Sequence, residues 1–149
     1  MATNRRQLVR LLDVNTLIAL SLTNHAHHEA VSTWFDGVER WATCSITQSA
    51  YVRLLLNPSV TGFELPARDV LSALAELTSS RGHEFFADNA PLSAPAISLA
   101  KLSGPKQVTD LHLVDLAVRH QARLATVDSR MLSALAPQDR DAVELIPLR

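Results

Sequence analysis

Asp13, Asp110 and Asp128 are the residues whose types and positions best suit chemistry in this chain. Asp13 follows the apolar pair Leu11-Leu12, and Asp128 follows Leu124-Ala125-Thr126-Val127. Asp110 opens the helical pattern that leads into that second run. Each acid taken alone could cap a helix or complement a helix dipole. Gathered at one place, like charges repel unless a cation sits among them. Three hard oxygen ligands, with no thiolate or committed histidine, favour Mg²⁺ or Mn²⁺ over zinc.

Other chemistries lack their residues. Gly37, Gly62, Gly82 and Gly104 form neither a G-x-G-x-x-G fingerprint nor a phosphate-cradling loop, so a dinucleotide or nucleoside triphosphate site is not expected. No G-x-S-x-G elbow occurs, and Cys44 has no base near it in motif terms. A phosphate-accepting receiver domain needs a strand-end lysine and a further strand-end aspartate, but Lys101 and Lys106 fall outside the expected strands. A phosphatase with an aspartate nucleophile would want D-x-D where this chain has Asp13-Val14-Asn15. What remains is metal-activated water attacking a phosphodiester.

The elements that must position these acids follow from hydrophobic periodicity. Strands are predicted over Leu8–Val14, Trp41–Cys44, His83–Phe86, Arg123–Val127 and Val143–Ile146. Helices are predicted over Thr16–Leu22, His27–Glu39 and Thr47–Leu56, the last stopping at Asn57-Pro58. Another is expected to open at Pro66, with Val70, Leu71, Leu74 and Leu77 as its buried stripe and Gly82 ending it. Short helices are expected at Ala94–Leu102 and Ser129–Leu135, and a longer one capped by Thr109. Strands alternating with helices predict an α/β layered fold around a mostly parallel sheet, with helices on both faces. Ligand sites of such sheets lie outside the carboxyl ends of the strands. A helix that follows a strand begins at that edge, and so does a helix that precedes one. Asp13, Gln48, Asp110 and Asp128, far apart in sequence, are thereby expected to converge there.

Composition bounds the rest. The chain has 149 residues, 47% hydrophobic, with mean hydropathy +0.08, which predicts one globular domain over residues 1–149. The apolar stretch Leu8–Leu22 holds Arg10, Asp13 and Asn15, so it reads as neither a membrane span nor a signal-peptide core. The single cysteine, Cys44, cannot form an internal disulfide, and a reducing, cytoplasmic home is expected. The net charge of −1 advertises no general affinity for nucleic acid. His25, His27 and His28 match no Cys/His zinc spacing and read as surface histidines at a helix start.

The segments Leu12-Asp13-Val14-Asn15-Thr16-Leu17-Ile18-Ala19-Leu20, Trp41-Ala42-Thr43-Cys44-Ser45-Ile46-Thr47-Gln48, Val108-Thr109-Asp110-Leu111-His112-Leu113 and Leu124-Ala125-Thr126-Val127-Asp128 together resemble the PIN domain, specifically the VapC-like toxin nucleases. The resemblance covers nearly the whole chain. It implies a central five-stranded parallel sheet in a three-layer α/β/α sandwich. It also implies a homodimer, RNA as substrate and an antitoxin that blocks the site. Asp13, Asp110 and Asp128 match the family's acidic cluster, with Asp13 as the main metal ligand.

One position departs from the pattern. Gln48 stands where the family usually has Glu, so it is either a neutral site member or a plain helix residue. Asp115 is weighed as a compensating site residue against a surface acid. Asn15 and Thr126 are expected either to hydrogen-bond a ligand carboxylate or to cap. Arg53 and Arg130 are candidate RNA-phosphate contacts, with surface ion pairs as the alternative. Trp34, Phe35 and Trp41 are read as core or dimer-interface residues. The rival to an RNA-cutting enzyme is a PIN-like module that binds RNA or protein with weak catalysis.

Overall fold

The computed structural model describes residues 8–149; the polar start Met1–Gln7 lies outside the described residues. Five strands, β1 (Arg10–Leu12), β2 (Trp41–Cys44), β3 (His83–Phe86), β4 (Arg123–Thr126) and β5 (Val143–Leu145), run parallel in the order β3-β2-β1-β4-β5. Helices α1 (Val14–Ser21), α2 (His28–Phe35), α3 (Ser45–Leu55), α4 (Pro58–Thr61), α5 (Ala67–Thr78) and α6 (Val108–Arg119) connect them.

Side chains alternate across the sheet, and both faces are covered. Leu11, Ala42, Cys44 and Leu124 meet Leu111, Val114, Leu116 and Ala117 of α6 on one face. Leu12 and Trp41 meet Leu17 and Ile18 of α1, Tyr51 and Leu55 of α3, and Val70 of α5 on the other. The result is a three-layer α/β/α sandwich. Double coverage explains why the strands read as continuous apolar runs rather than alternating ones. Leu11 and Leu12 are fully buried, each contributing roughly 1.5–3 kcal/mol by burial.

The order of the strands positions the site. From β1 the chain steps outward to β2 and β3, then α6 carries it back to β4 on the other flank of β1. The connections leave β1 and β4 in opposite directions, which opens a crevice at their carboxyl ends. Asp13 and Asp128 follow those two strands, and the N–H of Asp13 donates to the Ala125 carbonyl at 3.2 Å.

Several boundaries differ from the sequence expectation. β1 is shorter than Leu8–Val14, because Asp13 already caps α1, which begins at Val14. No helix forms over 94–102. The Ala96 and Ile97 N–H groups are taken by the Asp115 carboxylate and the Ser98 N–H by Asp139, so these donors are satisfied across the fold instead of within a helix. Thr109 is not a cap: a 3-10 turn, Pro105–Gln107, leads into α6, whose cap position is Gln107, two residues earlier. The helix expected at Ser129–Leu135 is a 3-10 segment, Ser129–Ala134. α5 ends at Thr78, not at Gly82, and Leu71 is 54% exposed, so the buried stripe runs through Val70, Leu74 and Leu77. Gly82 serves the turn into β3 instead. Its φ is +86°, and a Cβ there would lie 2.1 Å from the Glu39 carbonyl oxygen.

Candidate active site

Asp13 is built into the fold more firmly than the other two acids. It is 5% exposed and caps α1 with extended backbone, φ −70° and ψ 169°. Its Oδ1 accepts the Thr16 N–H at 2.9 Å and the Thr16 hydroxyl at 2.6 Å. Its Oδ2 accepts the Thr126 hydroxyl. Burial pushes the Asp13 carboxyl pKa up; the Thr126 and Thr16 bonds oppose the rise, and the charge of Asp128 adds to it.

Asp110 lies in the first turn of α6, half-buried. Burial raises its pKa, and the charges of Asp13 and then Asp128 raise it further against the pull of Arg130. Asp128 behaves differently. It caps the 3-10 segment, and Arg130 grips it through Nε–Oδ1 and Nη2–Oδ2, both 3.0 Å. The Arg130 side-chain bonds hold its carboxyl below the usual value against partial burial. The three aspartates thus share one electrostatic neighbourhood in which each resists the ionisation of the others.

Asp110 and Asp128 line a cavity of about 240 Å³ with Lys106, Gln107, Arg130 and Met131. Among the described residues, no three His, Cys, Asp or Glu side chains form a ready-made metal cage. Mg²⁺ does not need one. It keeps several waters and is commonly held by one or two carboxylates, so a hydrated ion suits the oxygen-only, mutually repelling set present here.

The remaining sequence candidates separate. Thr126 is fully buried and joins two acids: its hydroxyl donates to Asp13 and accepts the Asp128 N–H at 3.1 Å. Asn15 is exposed and lines a second cavity beside Asp128. Gln48 begins near the carboxyl edge, in α3, but its amide donates to the Thr43 hydroxyl at 2.9 Å, which in turn bonds His83 at 2.8 Å. It lines neither cavity beside the aspartates.

Asp115 is not a surface acid; it is fully buried. Its Oδ1 takes the Ala96 and Ile97 N–H groups and its Oδ2 the Arg119 guanidinium, so it anchors the segment before α6 rather than facing Asp13. Arg53 is exposed, eight residues into α3 and about 12 Å along it from the edge where that helix begins. Arg130 makes the ion pair named as its alternative, yet it also borders both cavities. Trp41 is a fully buried core residue with Phe35 edge-on at 5.3 Å, while Trp34 is half-buried and donates to Glu144 at 2.8 Å.

Four site neighbours escaped the sequence reading. Thr16 was legible, since a threonine three residues after an N-cap acid is a capping pattern. Lys106 sits in the 3-10 turn before α6, which no periodicity signals. His25 and His27 border Asp128 only through the path of the α1–α2 connection.

Residues 10–136 match the family model described as the PIN domain. The chain belongs to the PIN domain family, and within it the chain is VapC-like. It is 36% identical over 140 residues to ribonuclease VapC38 of Mycobacterium tuberculosis, covering 93% of this chain and 98% of that protein. Ribonuclease VapC29 of the same organism is 41% identical over 138 residues, covering 92% and 96%. Ribonuclease VapC39 is 41% identical over 124 residues, covering 81% and 89%.

Proposed function

We propose that this chain, as a single domain, is a metal-dependent endoribonuclease and the toxin of a VapBC-type toxin–antitoxin pair, held inactive by a cognate antitoxin. The observation that carries the reading is the meeting of Asp13, Asp110 and Asp128 at the switch point between β1 and β4, where burial and mutual repulsion raise the pKa values of Asp13 and Asp110. Its relatives' names as ribonucleases support the reaction class.

Asp13, Asp110 and Asp128 would hold a divalent ion, Mg²⁺ or Mn²⁺. When bound, such an ion supplies activation of a water nucleophile and neutralises charge on the phosphodiester. The chain's own groups do the rest. Thr16 and Thr126 fix both oxygens of Asp13, so its orientation is set before anything binds. Lys106 and Arg130 border the cavity of Asp110 and Asp128 and can meet the RNA phosphates. The same anionic socket suits an arginine of an antitoxin, which would displace both ion and substrate.

A homodimer in the cytoplasm completes the proposal. Leu56, Val60, Phe63 and Leu71 are large exposed apolar side chains between the end of α3 and α5, and they suit a subunit interface. Cys44 is a buried free thiol, compatible with a reducing compartment. No helix among the described residues is long and apolar enough to cross a membrane.

Expression in a bacterial host tests the toxin role. Growth should slow, recover when a cognate antitoxin is co-expressed, and stay normal for Asp110→Asn. Purified protein should cut structured RNA in Mg²⁺ and stop in chelator. A folded, abundant protein that leaves growth and RNA untouched would favour the rival, a PIN-like binding module with weak catalysis.

A further inference from the structure

The connection between α1 and α2 carries His25 and His27, and it folds them against the acidic site. The His27 N–H donates to His25 Nδ1 at 3.0 Å, which ties the loop to itself. The two rings stand 5.6 Å apart, tilted by 53°, and both are half-buried. His28 is engaged elsewhere, its Nδ1 lying 2.7 Å from the Ala19 carbonyl oxygen. His25 and His27 wall a cavity of about 400 Å³ with Asn15, Val127, Asp128 and Arg130. Among the described residues, the His27 ring and the Asn15 amide have no hydrogen-bond partner in the protein.

This cavity shares Asp128 and Arg130 with the 240 Å³ cavity of Asp110 and Lys106. The Asp128–Arg130 pair therefore stands between the two clefts, and a strand laid across Asp110 and Asp128 would lie beside both. The lining has the chemistry of nucleotide recognition. Imidazole faces stack on unpaired bases, and an asparagine amide offers a donor and an acceptor to a base edge. A guanidinium fork matches a phosphate. Arg130 is 89% exposed in its pair with Asp128, and an exposed pair of this kind is weak enough to exchange for phosphate. Burial, with the neighbouring His27 and His28 charges, lowers the His25 pKa and favours the neutral ring that accepts the His27 N–H.

We propose that the chamber of His25, His27 and Asn15 seats one unpaired nucleotide of the RNA beside the phosphodiester that is cut, with His27 and Asn15 meeting the base and Arg130 its phosphate. The proposal rests on the ribonuclease reading, and it assigns the specificity-determining face of that site to the α1–α2 connection. His27 caps α2 without using its side chain, so removing the ring deletes no cap bond.

The test measures binding of a labelled, unpaired octaribonucleotide of mixed sequence in chelator, where cleavage is off, and then maps cut positions in Mg²⁺. A His27→Ala, Asn15→Ala double variant should bind about tenfold more weakly, the size of one lost base-stacking contact. It should also lose the parent's preference for the nucleotide beside the cut. Arg68→Ala, at an exposed position on α5, should bind as the parent does. Equal binding and an equal cut pattern for parent and double variant, with the fold confirmed by circular dichroism, overturn the nucleotide seat while leaving the ribonuclease reading intact. Failure of the parent to bind the octamer overturns the seat as well. A parent that binds the octamer through His27 and Asn15 but never cuts RNA overturns the nuclease reading alone.

Discussion

The Thr126 hydroxyl couples two acids of the site: it donates to Asp13 Oδ2 and accepts the N–H of Asp128 from 3.1 Å. One side chain on β4 thereby sets the orientation of a carboxylate on the end of β1 and the start of the turn that carries another. Thr126→Val keeps the shape and deletes both bonds. Asp13 then loses the largest influence opposing the rise of its pKa. Metal affinity should fall about tenfold, the lower end of the usual effect of outer partners of metal ligands. Calorimetric titration with Mn²⁺ measures it, and an affinity equal to the parent's would show that Asp13 needs no such support.

Protons should compete with the metal above the ordinary carboxylate range. Asp13 and Asp110 have raised pKa values in the folded chain, against about 3.9 when unfolded. Between those limits the folded protein holds protons that the unfolded chain does not. These two groups therefore make the metal-free protein less stable as pH rises through that window, and more stable as pH falls through it. The Mg²⁺ concentration for half-maximal cleavage should rise as pH falls through the same window. A metal requirement that is flat from neutral pH down to pH ~4 would contradict the shared electrostatics of the site.

Asp115→Ala should damage the fold and not the metal site. It leaves the Ala96 and Ile97 N–H groups and the Arg119 guanidinium without their buried acceptor. A loss of about 2–4 kcal/mol in chemical denaturation is expected. Mn²⁺ affinity of the folded fraction should match the parent's. A large loss of affinity with unchanged stability would return Asp115 to the site.

The acids at Asp13 and Asp128 were legible because each follows a short apolar strand, Asp13 directly and Asp128 after Val127, and the parallel sheet puts both strand ends on one edge. Asp110 was legible through its place in the first turn of the returning helix. Asp115 was not, since its partners lie in residues 94–97, whose apolar spacing imitates a helix while distant carboxylates take their N–H groups. Gln48 lies in the first turn of α3, at the edge its spacing predicts, but its rotamer follows a local bond to Thr43 that spacing does not encode. The exposed Leu71 shows the same limit, as a stripe two residues wide at one turn leaves one of them at the rim.

Arg130→Ala should separate two properties. Asp128 would lose the guanidinium that holds its pKa down and would be released toward the cavity. Metal affinity should rise, by about threefold for an exposed pair, while RNA binding in chelator weakens. Parallel titrations with Mn²⁺ and with an unpaired oligoribonucleotide read the two effects, and a fall in both would assign Arg130 to maintaining the fold of the turn.

Cleavage of RNA by Asp13→Asn, Asp110→Asn and Asp128→Asn, each compared with the parent in Mg²⁺, tests the central claim most directly. Asn keeps the shape and one acceptor oxygen but removes the charge. Each substitution should abolish most cleavage, and Asp110→Asn should leave the metal-free protein at least as stable as the parent, because repulsion and buried charge are relieved. Near-parental cleavage by any two of the three folded variants would contradict the assignment of these aspartates as the site.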